Sequence, residues 1–286
     1  MKQTDLLYRS TVRSLFTIFS YPGLVRRALA CFGAVFNCFF MLQLKGVLFR
    51  RKYRVSSVDH PLDGEIPFKT SWVDIYMDFS PFWVRTQGFV LRKYGKAAVP
   101  YVRDFLAKIS DLYHRAAAVA RVNFSTTNRP HYYGTFKFKL IHLFDPHLMC
   151  IPSLHVMVVV YTFIKFREEI TALNGLECYQ KEVDWTRKHA LAITESILYV
   201  KQHSVNCIPA ALYTMTRFDA SRFSPEVIDM FIGDLFQKSD GISPETVKKI
   251  KTHAAILYKD FLSKGMQASS WEDPLFDFLR AGENCG

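Results

Sequence analysis

Pro152-Ser153-Leu154-His155 and, further along, Ser196-Ile197-Leu198-Tyr199-Val200-Lys201-Gln202-His203 are the two stretches that decide how this chain is read. Each sets a serine and a histidine in otherwise apolar sequence, which is what a phosphoryl-transfer site inside a membrane-embedded helical bundle needs. Pro152 suits the first turn of a helix, where its missing N–H costs nothing, and Val156 to Ile164 continue that helix. The mouth of such a helix offers unpaired backbone N–H groups and the positive end of the dipole, so Ser153 and His155 stand at a natural phosphate cradle. The second stretch reads as helical too. Ser196 and His203 lie seven residues apart and fall near one face, and the flexible stem of Lys201 can return its ammonium toward a bound oxyanion.

Composition sets the surroundings. The chain has 286 residues, 49% of them hydrophobic and 15% aromatic, with a mean hydropathy of +0.02. It is long enough for one sizeable core plus an appendage. A formal net charge of +11 favours anionic partners, and phospholipid headgroups fit better than nucleic acid, because no helix-turn-helix, zinc-finger or RNA-binding signature accompanies the charge. Ala28 to Leu44 runs seventeen residues without a charge between Arg26-Arg27 and the cluster Arg50-Arg51-Lys52-Tyr53-Arg54, and is the best transmembrane candidate. His147 to Ile164 and Ala190 to Met215 are the second and third. The ionisable residues of the third span predict that it faces a polar cavity.

Around these runs the order is simple. Residues 1 to 27 are basic and partly amphipathic, as an interfacial helix would be, and residues 55 to 68 read as a polar loop. Trp72, Ile75, Tyr76, Phe79 and Trp83 recur at helical spacing, which suits either a membrane interface or an aromatic core stripe. Residues 97 to 122 read as a helix with Val102, Phe105, Leu106, Ile109 and Leu112 on its apolar face. Beyond residue 217, Ser224-Pro225-Glu226 and Ser243-Pro244-Glu245 mark helix starts, and Val247, Ile250, Ala254, Leu257 and Phe261 form one amphipathic face. The six cysteines show no metal-ligand spacing. Among the other histidines only His131, just after Arg129-Pro130, stands near a motif.

Taken together, Pro152-Ser153-Leu154-His155-Val156 and Lys201-Gln202-His203 resemble motifs of the type 2 phosphatidic acid phosphatase superfamily, especially its inositol-phosphorylceramide-synthase-like branch. Asp63-Gly64-Glu65-Ile66-Pro67-Phe68 leading to Ile75-Tyr76 resembles that branch's opening segment, and Thr127-Asn128-Arg129-Pro130 its first phosphate-binding motif. The resemblance covers roughly residues 60 to 215. It implies an all-α, membrane-associated helical bundle of the type 2 phosphatidic acid phosphatase/haloperoxidase type. Residues 1–54 would form a basic N-terminal segment with a candidate transmembrane helix, 55–217 the phosphatase-like core, and 218–286 a C-terminal helical appendage.

The resemblance also implies an activity: phosphatase or phosphotransferase action on a lipid phosphate or phosphodiester at a membrane, with no metal and no cofactor. His203 would be the nucleophile, His155 the general acid, and Arg129, Ser153 and Lys201 the phosphate clamp. The chain departs from the family at several points. The aspartate expected four residues after the nucleophile is Cys207, a lysine seven before the first-motif arginine is Val122, and an arginine after the third-motif serine is Ile197. Arg121 and Lys201 are the nearest replacements for those two charges, and Asn206 could orient His203 through its amide oxygen. Pro209 is expected to interrupt the helix soon after His203. The alternative is a degenerate relative that binds lipid or a protein partner without turnover.

Overall fold

A computed structural model describes residues 10–281. About 75% of the chain is helix and 3% strand, which bears out the all-α class. In chain order the elements are α1 (Thr11–Phe19) and α2 (Pro22–Val35), a π-helical turn at Phe36–Met41, α3 (Leu42–Leu48), β1 (Val55–Ser57), α4 (Pro61–Glu65), α5 (Val73–Met77), α6 (Phe79–Tyr94) and α7 (Val99–Val122). They continue with β2 (Phe124–Thr126), α8 (Phe136–Phe144), α9 (Leu154–Ala172), α10 (Leu176–Tyr199), α11 (Cys207–Phe218), α12 (Pro225–Asp234), α13 (Pro244–Gln267) and α14 (Asp273–Ala281).

α9 is the hub. It packs against α6, α7, α10 and α11, and every side chain from Leu154 to Thr162 is buried. A helix apolar all round is what such a position requires. α7 follows the expected stripe, with Val102, Phe105, Leu106, Ile109 and Leu112 all buried, and α2 lies along it. Ser224 and Ser243 cap α12 and α13 as expected, accepting from Val227 N and Thr246 N, and α13 packs on α11.

The expected spans are revised. Among the described residues one helix, Pro22–Leu48, is long and apolar enough to cross a membrane. It exposes Leu29, Phe36, Leu44, Val47 and Leu48 while burying Leu24, Ala28, Cys31, Cys38 and Leu42 against the bundle. The second expected span begins outside any helix: α9 starts at Leu154 with Ser153 as N-cap, so Pro152 precedes the helix rather than opening it. The third is broken between Tyr199 and Cys207. There Lys201 adopts a left-handed φ of 55°, its N–H donates to Leu198 O, and Gln202 N donates to Ile197 O. These are the two bonds of a Schellman closure, which ends α10. Pro209 falls in the first turn of α11, where it opens a helix instead of interrupting one.

One further expectation is corrected. The supposed polar loop at 55–68 contains β1 and α4, and β1 pairs in parallel with β2, Val55 opposite Phe124. The aromatic run after residue 70 packs against the core, with Tyr76 and Trp83 buried and Trp72, Ile75 and Phe79 partly buried. Trp72 stacks on Tyr199 at 4.4 Å, and Tyr76 and Phe79 lie on the ring of His155. Of α1, described from Thr11, Phe16 is exposed and Ile18 buried; residues 1–9 of the expected interfacial helix lie outside the described residues.

α9 also carries an unusual acid. Glu169 is wholly buried, its Oε2 accepts from Gln87 Nε2 at 3.1 Å, and its Oε1 has no partner. Burial pushes its pKa up to about 8, so the fold favours the neutral acid. The unfolded chain ionises from about pH 4.5 upward, so this group withdraws stability as pH rises from there to about 8. Glu169→Gln removes that dependence. Its stability should stay flatter between pH 5 and 8 in urea titrations, with a gain at pH 8 on the order of 3 kcal/mol over the native chain.

Candidate active site

The site forms where the foot of α9, the turn after α10 and the loop after β2 meet. His155 sits in the first turn of α9. Its ring lies 4.4 Å from that of Tyr76 and 4.1 Å from that of Phe79. His203 belongs to the turn between α10 and α11, not to a helix face. The two imidazoles meet edge to face, with centroids 5.5 Å apart. Burial, and then the neighbouring His203, hold His155 well below the usual histidine range. A phosphate between the rings would supply a counter-charge that opposes the second of these effects and favours the imidazolium.

The His203 turn is gripped from a distance. Asp63 in α4 accepts from Val205 N through Oδ1 and from His60 N through Oδ2, both at 2.8 Å. Its backbone carbonyl accepts the Lys201 ammonium. One residue thus holds the chain on both sides of His203. Lys201 is consequently turned toward α4 and is absent from the residues around the two rings. Asn206 is likewise engaged elsewhere: its Oδ1 accepts from His253 Nε2 at 2.7 Å, and its Nδ2 donates to Val58 O. It therefore does not orient His203, contrary to expectation. His253 in turn lies 4.1 Å from His60, ring to ring, so α13 is tied to the same turn.

Arg129 reaches the site through a relay of hydrogen bonds. Its guanidinium donates to Gln202 Oε1 at 2.9 Å and to the Asp145 carbonyl at 3.1 Å, which places it beside the residue preceding His203. Ser153 is fully buried, and its Oγ has no partner. Arg121 is exposed near the end of α7 beside Cys38 and does not line the site. The structure thus brings together His155 and His203, with Arg129 adjoining them, and sets Lys201 and Arg121 apart.

Where the expected aspartate is missing, Cys207 is fully buried. Burial disfavours its thiolate, yet the Cys150 thiol and the His203 imidazole beside it oppose that and hold it below the usual thiol range. His203 Nδ1 itself has no hydrogen-bond partner.

His147, treated by sequence as one of the scattered histidines, is a third ring in the site. It lies 6.5 Å from His203, and its Nε2 is 2.7 Å from Thr127 Oγ1. No local periodicity marks it; its only signal is that it lies in the same apolar segment as His155. His147, His155 and His203 line a narrow cavity with Phe39 and Met149, whose free space holds about one water molecule. Outside it an open recess of about 370 Å³ is bordered by Arg50, Thr127, Asn128, Arg129 and His131. His147 lines both.

The chain matches no family model, no curated protein and no solved structure.

Proposed function

We propose that the protein is a membrane-associated phosphatase or phosphotransferase acting on a lipid phosphate or phosphodiester through a His203 nucleophile. The observation that carries the reading is the meeting of His155 and His203, from separate elements, beside a recess bordered by Arg50 and Arg129. In the reaction, a ring nitrogen of His203 attacks phosphorus and the bond to the alcohol oxygen breaks. His155 gives its proton to the departing alkoxide, and Arg129 balances charge on the phosphoryl oxygens. Tyr76 and Phe79, stacked on His155, supply an apolar side for the lipid alcohol. Pro22–Leu48, with its exposed apolar face and the basic residues Arg50, Arg51, Lys52 and Arg54 at its end, supplies the membrane contact.

Two observations favour a second reading, lipid binding without turnover. The cavity between the rings has room for about one water, so a phosphate must displace some of its lining side chains. His203 Nδ1 also lacks an orienting acceptor. Purified protein with phosphatidate in mixed micelles separates the readings. Release of inorganic phosphate, or its transfer to an added alcohol, is expected. Binding with no turnover from pH 5 to 8 supports the second reading instead.

A further inference from the structure

We propose that His147 and Thr127 form a proton relay that activates the incoming hydroxyl, water or alcohol, when it discharges the phosphohistidine at His203. This rests on the phosphotransfer reading above and adds a catalytic pair to it. His147 is the one histidine of the three that borders both the inner cavity and the open recess. An acceptor arriving through the recess meets Thr127 and His147 on its way to His203. Thr127 lines the recess, and its hydroxyl is 2.7 Å from His147 Nε2, so it can pass a proton inward while taking one from the acceptor.

The backbone supports a placed rather than an incidental ring. His147 has a φ of 66°, a conformation that costs a non-glycine residue about 1 kcal/mol or more. It is held there by its N–H, which donates to Asp145 Oδ1 at 2.9 Å. Burial, and then the charges of Arg129 and His203, hold the ring well below the ordinary histidine range. It is therefore neutral at neutral pH with a ring lone pair free, and its contact with Thr127 Oγ1 rather than its basicity places it to take the proton. His155, flanked by Tyr76 and Phe79, occupies the apolar side where the lipid alcohol leaves. The polar side needs its own base.

The step balances without another reactant. The acceptor oxygen forms a bond to phosphorus as the phosphorus–nitrogen bond breaks and its electron pair returns to the His203 ring. The acceptor proton moves to Thr127 Oγ1, whose own proton moves to His147 Nε2. Release of the product then lets the His147 imidazolium return its proton to solvent through the recess, while His155 takes back from solvent the proton it gave to the departing alkoxide.

The test uses ³²P-phosphatidate in mixed micelles, with acid-labile, base-stable phosphoenzyme counted after rapid quenching. His147→Asn should form phosphoenzyme at a rate within about threefold of the native protein. Its steady-state turnover should fall by at least about 10²-fold, so label accumulates on His203. Thr127→Val should shift the same way by about tenfold, and Thr127→Ser should restore turnover. Phosphoenzyme that forms and decays normally in a folded His147→Asn or Thr127→Val protein overturns the relay alone. Equal slowing of formation and decay makes His147 structural and also overturns it. Native protein that turns substrate over without labelling His203 overturns the nucleophile assignment, and the relay with it.

Discussion

His203→Ala should lower phosphate release from phosphatidate by at least about 10⁴-fold, the scale on which removing a covalent nucleophile acts in a preorganised site. His203 is the ring that meets both His155 and His147, at 5.5 and 6.5 Å, and the turn that carries it is held by Asp63 on either side. Because that grip uses backbone groups and the Lys201 side chain, truncating the imidazole leaves it in place, and the variant should melt within a few degrees of the native chain. Activity that survives in a folded His203→Ala protein sinks the assignment. Loss of release with retained phosphatidate binding is the expected pair of results.

The second expectation runs in the opposite direction. Cys207→Asp should raise turnover by about tenfold or more, since removing an orienting carboxylate from a catalytic histidine costs up to about 10⁴-fold elsewhere. The thiol now beside His203 leaves Nδ1 without a partner. A carboxylate oxygen extends one bond further from the backbone than a sulfur does, and it accepts strongly where a thiol accepts weakly. The substitution also places a charge at a fully buried position next to Cys150. A stability loss of about 1–3 kcal/mol should therefore accompany the gain, read as a lower urea midpoint. Unchanged or reduced turnover in a folded Cys207→Asp protein would show that His203 is not oriented through this position.

The sequence announced those elements whose signal is local. α7 shows its buried stripe because one face of a long helix repeats Val102, Phe105, Leu106, Ile109 and Leu112 against the core. α12 and α13 begin where serine and proline stand together. The meeting of His155 and His203 was legible from the serines and histidines set in apolar runs. β1 and β2 were not, because three residues are too few to display an alternation. The end of α10 was hidden for a different reason: a lysine occupies the left-handed position that glycine usually advertises.

Long-range contacts account for the remaining errors. Lys201 has the charge and position of a phosphate ligand, but the Asp63 carbonyl, far away in sequence, claims its ammonium. Asn206 is claimed in the same way by His253. The apolar length of α9 resembled a span because a helix surrounded by four others has no polar side to show. His147 carries no pattern at all; only the approach of Thr127 and the recess beside it disclose its place.

The ties between the last helices and the His203 turn bear on how the molecule comes apart. His253 holds Asn206, Thr246 holds Glu65 in α4, and the Phe236 N–H holds Glu195 in α10. Removing residues 218–286 would strand two buried polar groups, Asn206 and Glu195, and bare the flank of α11. The boundary near residue 217 therefore marks a change in sequence character across which the two halves stay tied, and calorimetry should show them melting in one transition.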